Sequence, residues 1–163
     1  MAATLAVVSC GSDETSDSST TSAAVAPWDP CTVSDDALVQ AGLDPTSEGP
    51  GLSAEAPGWK SCAWKSSDLG VIISTSATAA VDQFREAPGN IDFQDVIVAD
   101  RQGFTFREER DENGTFCWLI VPFANGGALN MQVDRSAFTK DRTTPMCEWA
   151  VRIGNVLVAE APR

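Results

Sequence analysis

The chain has 163 residues, 43% of them hydrophobic, and a formal net charge of −12 with only 11 basic residues. That length suits one domain with its own core, and the shortage of Lys and Arg excludes nucleic acid as a partner, because clustered cations supply the affinity for phosphates. The same charge disfavours direct electrostatic contact with an anionic membrane surface.

The N-terminal run MAATLAVVSC is apolar up to Cys10, and a polar stretch rich in Ser and Thr follows it. The run is too short to cross a bilayer, which needs about 20 apolar residues. A short apolar run that ends in small residues is typical of an export signal. Residues 7–10, Val-Val-Ser-Cys, resemble the lipobox of bacterial lipoproteins, in which the cysteine receives a diacylglyceryl group and the chain is cut before it. The alternative is that Cys10 is an ordinary thiol in a tail.

The lipobox resemblance divides the chain into three parts. Residues 1–9 are predicted to be the remnant of a signal peptide, and residues 10–27 a lipidated cysteine with a flexible, acidic, Ser/Thr-rich tether. Residues 28–163 are predicted to form a single globular domain. Two acyl chains on Cys10 satisfy the condition for stable membrane anchoring.

The signals for secondary structure begin with a short helix over residues 35–41. Ser34 can cap its first turn, and Gly42 can take the left-handed conformation beyond its end. Residues 44–58 are rich in Pro, Gly and Ser, which predicts a loop. The segment WKSCAW over residues 59–64 is predicted to be extended.

The middle of the chain has the pattern of strands joined by turns. Asn113-Gly114 predicts a two-residue type I′ hairpin turn, because both central positions of that turn need positive φ. Helical spacing predicts one short helix over residues 78–88, with Val81 and Phe84 facing inward. Strands are predicted over residues 69–76, 93–99, 103–110, 115–123 and 128–133, with a further turn at Asn125-Gly126-Gly127.

A last helix is predicted from Pro145, with Thr144 as its N-cap. Its apolar positions recur at helical spacing and predict a stripe that packs on a sheet. The predicted fold class is therefore α+β, an antiparallel β-meander sheet packed against two or three helices and carrying two disulfides. The stripe comprises Met146, Trp149, Ala150, Ile153 and Leu157.

Five cysteines are present, and four remain when Cys10 is set apart: Cys31, Cys62, Cys117 and Cys147. They are widely spaced and contain no C-x-x-C pair, so they indicate neither a zinc site nor a thioredoxin-type motif. Two disulfides formed in an oxidising compartment are the favoured interpretation, and buried free thiols are the alternative.

Four short motifs carry a resemblance to a known family. WDPC at 28–31, CAW at 62–64, CWLIV at 117–121 and PMCEWAVRIGNVLVAEAP at 145–162 resemble a family of actinobacterial lipoproteins called domain of unknown function 3558. The resemblance implies export and a lipid anchor on Cys10. It implies no catalytic residue, because the family has no assigned activity.

The four domain cysteines can pair in three ways. We favour Cys31–Cys62 with Cys117–Cys147, because the first bond would join the N-terminal helix to an early strand and the second would join a central strand to the last helix. Each bond would close a loop of about 30 residues and stabilise the domain by roughly 3–4 kcal/mol.

Candidates for chemistry are few, because His and Tyr are absent and with them the most common general base. Asp92, Asp95 and Asp100 could form an acid/base pair only if the fold brought two of them together. A second acidic cluster surrounds the predicted hairpin turn. It is predicted to be solvated, since its spacing is not that of a calcium loop, and it comprises Glu108, Glu109, Asp111 and Glu112.

The tryptophans are the candidate recognition residues. Trp59 and Trp64 fall on opposite faces of their extended segment, so at least one of them is expected to be exposed and able to contact a partner. Core packing is the alternative for both, and for Trp118 and Trp149.

These observations favour an exported, lipid-anchored domain that binds something at the outer face of the cell membrane without catalysis. The expected partner is an envelope protein or a small amphiphile, with the membrane engaged only through Cys10 and with no cofactor or metal. The alternatives are a hydrolase that uses carboxylates or an unconventional serine, and a purely structural component of the envelope.

Overall fold

The computed structural model describes residues 26–163, so the predicted signal remnant, Cys10 and nearly all of the predicted tether lie outside the described residues. No helix within the described part is long and apolar enough to cross a membrane. The elements in chain order are a 3-10 turn Pro30–Thr32, α1 Asp35–Gln40, β1 Asp44–Pro50, β2 Trp59–Lys65, β3 Leu69–Ser76, α2 Asp82–Glu86, β4 Asn90–Val98, β5 Arg101–Glu108, β6 Phe116–Pro122, β7 Ala128–Arg135 and α3 Met146–Glu160.

The seven strands form one antiparallel sheet in the order β1-β2-β3-β7-β6-β5-β4. Two meanders, β1-β2-β3 and β4-β5-β6-β7, meet where β3 pairs with β7 from Leu69↔Arg135 to Ser76↔Ala128. The connection through α2 carries the chain from β3, in the middle of the sheet, to β4 at its far edge. The predicted α+β class with an antiparallel sheet and three helices is confirmed.

One face of the sheet, the helix face, is covered by α1 and α3. Alternate residues of the central strands point to it, as the period of two in a strand requires, and they pack against the apolar stripe of α3. Trp149 of that stripe is half-buried at its margin, where the guanidinium of Arg152 lies over its ring. The fully buried members include Ile73, Leu119, Leu129, Met131, Ala150 and Leu157.

The opposite face carries a smaller apolar cluster near the β4 end of the sheet. Phe104, Phe106 and Ile120 are buried there beneath α2. Phe84 of α2 and Val81, the residue before its first turn, face inward as predicted. Phe106 also stacks on Trp118, with ring centroids 6.0 Å apart. This second cluster fixes α2 against the last strands of the sheet.

The ends of two helices test the predicted caps. Ser34 accepts a hydrogen bond from the amide of Ala37 at the start of α1, as predicted. The prediction of Thr144 as the cap of α3 is wrong by one residue. Pro145 is extended (φ −59°, ψ 141°) and occupies the cap position, and no side chain of the described residues caps this end.

The predicted loop over residues 44–58 is corrected by β1, which occupies its first half. Proline is tolerated in β1 because this strand lies at the edge of the sheet, where an outward position needs no donor. Its register with β2 shifts between Asp44 and Gly49, and the Ser47 hydroxyl bridges the gap by accepting from the Lys65 amide at 2.9 Å.

The predicted type I′ turn at Asn113-Gly114 is wrong. Gly114 has positive φ but Asn113 does not, and a longer loop joins β5 to β6 there. The tight turn lies instead between β4 and β5, where Ala99 (φ 48) and Asp100 (φ 58) both occupy the left-handed region between the paired residues Val98 and Arg101. No glycine marks this turn, which is why the sequence did not reveal it.

Both favoured disulfides are present. Cys31 and Cys62 join the 3-10 turn to β2 with Cα atoms 5.3 Å apart. Cys117 and Cys147 join β6 to the first turn of α3 with Cα atoms 5.0 Å apart. Both distances fall within the range that an unstrained bridge requires.

Candidate functional site: the β4 edge

Among the strands of residues 26–163, β4 lies at the edge of the sheet and pairs with β5 alone. A two-residue turn joins a hydrogen-bonded pair, so Val98 bonds to β5, and the antiparallel alternation then has Val96 bond to β5 as well. The backbone N–H and C=O groups of Asp95 and Ile97 consequently point away from the sheet. Ile97 is 60% exposed, so this edge presents an apolar side chain to solvent.

A cleft of about 440 Å³, cleft A, lies beside β4 on the opposite face, between the strand ends and α2. Its floor is the ring of Phe104, and the Arg85 guanidinium lies 4.0 Å from the centre of that ring. The same guanidinium donates to Asp95 at 2.5 Å, so α2 and β4 are tied across the cleft. Val81 and Ile97 add apolar walls.

A second cleft of about 830 Å³, cleft B, lies beside β4 on the helix face. It is bounded by the first turn of α3 and by β5, and Cys147 of the second disulfide forms part of its wall. Gln94 and Val96 line it from β4, and Thr105 lines it from β5. Successive residues of β4 therefore face cleft A and cleft B in turn, because strand side chains alternate.

Arg107 closes one end of cleft B. Its guanidinium donates to a carboxylate oxygen of Asp92 at 3.1 Å and to the carbonyl oxygen of Asp111 at 2.9 Å. Asp92 has positive φ and lies where the β4–β5 register shifts, so the bulge directs its side chain to Arg107. The Nε atom of Arg107 is buried without a hydrogen-bond partner among residues 26–163.

The charges that β4 presents to solvent are mainly negative. The Asp95 side chain is 85% exposed against 40% for its partner Arg85. The Asp92 side chain is 56% exposed against 32% for its partner Arg107. A molecule that approaches this edge meets carboxylates before it meets the guanidinium groups.

The two tryptophans predicted as recognition residues lie in different environments. Trp64 is only 2% exposed and packs in the helix-face core, so its assignment as a recognition residue is corrected, and its Nε1 atom has no hydrogen-bond partner in the described part of the chain. Trp59 lies on the other face of β2 and is half-buried. Neither residue lines cleft A or cleft B, and the role of Trp59 stays a prediction.

The three aspartates proposed as an acid/base pair do not converge. Asp95 lines cleft A and Asp92 lines cleft B, on different sides of β4, and each forms an ion pair with a different arginine. Asp100 lies in the turn beyond the strand. No pair of these residues has the shared site that general acid/base chemistry on one bond requires.

The acidic cluster at the β5–β6 loop is solvated only in part, and for Asp111 the prediction is wrong. Asp111 is 6% exposed and accepts from the amides of Thr115 and Phe116 and from the Thr115 hydroxyl. Burial alone would raise the pKa of Asp111, but these hydrogen bonds and the nearby Arg107 together lower it. Its carboxylate holds the loop in place.

Two further acidic positions bear on chemistry. Burial raises the pKa of Asp134, which lies on β7 beside Gly70. Among residues 26–163, Cys31, Glu48 and Cys62 form the one group of potential metal ligands that lie close together. The two sulfur atoms are bonded to each other and are not thiolates, so this group offers a cation a single carboxylate.

The sequence alone did not reveal Arg85, Ile97 and Phe104 as members of one cleft. The signal available was the pattern in NIDFQDVIV, which mixes acidic residues with apolar ones and contains no proline. That pattern is compatible with an edge strand, but the position of β4 in the sheet depends on the crossover through α2.

The fold and the site define a disulfide-bonded α+β domain with one covered sheet face and an accessible edge between two clefts. The chain belongs to the family described as protein of unknown function (DUF3558), whose model matches residues 5–160. No curated protein matches the chain, and no solved structure matches it.

Proposed function

We propose that this protein is an exported, lipid-anchored binding domain that receives another envelope protein along the β4 edge at the outer face of the cell membrane. The observation that carries the proposal is the position of β4, an accessible edge strand with a cleft on each side. Edges of this kind are sites of pairing with another chain unless they are blocked.

Export is supported by the two disulfides, since such bonds form and persist in oxidising compartments. Anchoring is supported by the lipobox-like residues 7–10, which end at Cys10, the cysteine that takes no part in either bond. Residues 11–27 would then be the tether that separates the domain from the lipid.

A protein partner fits the site better than a small amphiphile does. Cleft A and cleft B are both open to solvent, whereas a carrier of lipid would enclose most of the surface of its ligand. The proposal includes no catalytic step, because each carboxylate that lines a cleft is held in an ion pair with an arginine. These carboxylates are Asp95 in cleft A and Asp92 and Glu148 in cleft B.

Anchoring is tested by expressing the full chain and its Cys10→Ser variant and partitioning the membranes with detergent. We expect the unaltered chain in the detergent phase and Cys10→Ser in the aqueous phase. Identical partitioning of the two proteins would refute the lipid anchor.

The binding edge is tested in the same cells with a photoreactive amino acid placed at position 94 on β4 or, as the matched control, at position 48 on β1. Gln94 and Glu48 are both exposed residues of edge strands. We expect protein adducts from position 94 and none from position 48. Equal yields from both positions, or no adduct from position 94, would refute the proposal that an envelope protein binds at the β4 edge.

A further inference from the structure

The geometry points to a specific form of partner, and this inference rests on the proposed function. We propose that β4 accepts an extended, basic segment of the partner protein as an eighth strand of the sheet. Strand addition of this kind takes its affinity from backbone hydrogen bonds and its specificity from pockets for alternate side chains.

The backbone of β4 has the groups that strand addition needs. Asp95 and Ile97 direct their N–H and C=O groups out of the sheet, and β4 contains no proline that would remove a donor. Within residues 26–163, no strand other than β5 pairs with it. An incoming segment that pairs with Asp95 and Ile97 would extend the ladder without displacing any existing strand.

The clefts are placed to receive the side chains of an added strand. Residues two apart on a strand point to the same face and lie about 7 Å from each other. One side chain of the segment would enter cleft A against Val81 and Ile97, and its neighbour would turn to cleft B beside Gln94 and Val96. The apolar walls of cleft A, Val81 and Ile97, fit an aliphatic or aromatic side chain, while the Arg85 guanidinium covers the Phe104 ring at the floor.

Charge decides which strands β4 accepts. Asp92 and Asp95 are more exposed than the arginines that pair with them, and Asp100 follows at the end of the strand. A second copy of the chain would bring the same carboxylates against these, and like charges opposed across strands are destabilising. Lys or Arg side chains would be attracted instead, so the added segment is basic and comes from a different protein.

The inference is tested on the full chain, purified in detergent micelles, with a phage-displayed library of random dodecapeptides as the probe. We expect enriched peptides that carry Lys or Arg among alternating apolar residues, and amide NMR shifts confined to β4 and the walls of the clefts. Binding weakens as salt is added, because these contacts lie at the surface.

Two charge reversals give the matched comparison. Asp95→Lys is expected to lower the affinity for an enriched peptide at least tenfold, whereas Glu55→Lys, the same charge change in the loop between β1 and β2, leaves it nearly unchanged. The backbone nitrogens of the peptide form two alternating sets, and each set can be methylated separately. We expect methylation of one set only to abolish binding, because alternate N–H groups of a strand point to opposite sides and only one side pairs with β4. Unchanged melting temperatures establish that both variants are folded.

The inference is overturned if the library yields no enriched peptide, if enriched peptides are acidic, if Asp95→Lys and Glu55→Lys weaken binding equally, or if self-association of the chain shifts the same β4 amides. These outcomes are separate from failure of the proposed function. A chain that binds basic peptides at β4 but gives no adduct from position 94 in cells would refute the envelope partner and leave the strand site standing.

Discussion

The two edges of the sheet are protected in different ways. β1 has Pro45 and Pro50 within its seven residues, and its pairing with β2 is irregular. β4 has nine residues, no proline and two exposed aspartates. Proline closes an edge to every strand because it removes a donor, whereas carboxylates close it only to strands that carry the same charge. The β1 edge is therefore blocked to any added strand, whereas the β4 edge selects strands by their charge.

The largest expected effect is the loss of stability when either disulfide is removed. The pair Cys31→Ala with Cys62→Ala, and the pair Cys117→Ala with Cys147→Ala, should each lower the free energy of unfolding by about 3–4 kcal/mol, because each bond closes a loop of similar length. Urea denaturation measures both.

Only the second pair should also weaken peptide binding at β4, since Cys147 lines cleft B. Equal peptide affinity in the two double variants would show that the β4 edge does not depend on the attachment of α3. Melting temperatures that do not respond to reductant would contradict the stability estimate itself.

The next effect concerns Asp111, which fixes the loop at the β4 end. Asp111→Asn should cost about 2 kcal/mol at pH 7, because one oxygen that accepts from Phe116 becomes a donor. The pKa of Asp111 is lowered in the folded state, so its carboxylate contributes stability above about pH 3.9, and that contribution is lost as the pH falls through the folded pKa.

Unfolding free energies measured from pH 7 to pH 3 check this expectation. The difference between wild type and Asp111→Asn should shrink below about pH 3.9. A difference that stays constant with pH would show that the amide disrupts the loop for a reason other than charge. Glu112→Gln, an exposed neighbour in the same loop, is the control.

A smaller effect, of opposite sign, is expected in the turn that ends β4. Ala99 occupies the left-handed region, which costs a residue with a Cβ atom about 1–2 kcal/mol. Ala99→Gly should therefore raise stability by about 1 kcal/mol after the entropy of glycine in the unfolded chain is subtracted. Asp100→Gly should gain less, because Asp tolerates this region. Thermal unfolding that shows a larger gain at Asp100 would contradict the assignment.

The smallest effect needs no substitution. Amide hydrogen exchange at Asp95 and Ile97 should be at least about tenfold faster than at Val96 and Val98, because only the latter pair bonds to β5. Protection at all four amides in the isolated protein would mean that the β4 edge is covered. Addition of a bound peptide should remove the difference.

Much of the fold follows from local residue patterns. Ser34 and Gly42 bound α1, and the stripe from Met146 to Leu157 forms α3, because caps and helical spacing act over a few residues. β1 was missed because its prolines are typical of loops, and an edge strand is the one place in a sheet that tolerates them. The Ala99-Asp100 turn was missed because it contains no glycine.

The site depended on information that no local pattern carries. β4 is an edge only because the crossover places it beyond β5, and this placement makes Ile97 exposed while Val98 is buried. Trp64 and Trp59 were correctly placed on opposite faces, but the period of a strand does not say which face is covered. The carboxylates of β4 became candidate recognition groups only once the strand order placed β4 at the edge of the sheet.

The β3–β7 ladder has a consequence for how the chain folds. It pairs residues as far apart as Leu69 and Arg135, whereas each disulfide joins two cysteines within the same half of the sequence. Both disulfides can therefore form while the two halves of the chain are still separate. Contacts between distant residues form slowly. We therefore expect the pairing of β3 with β7 to limit the rate of folding, after both disulfides have formed.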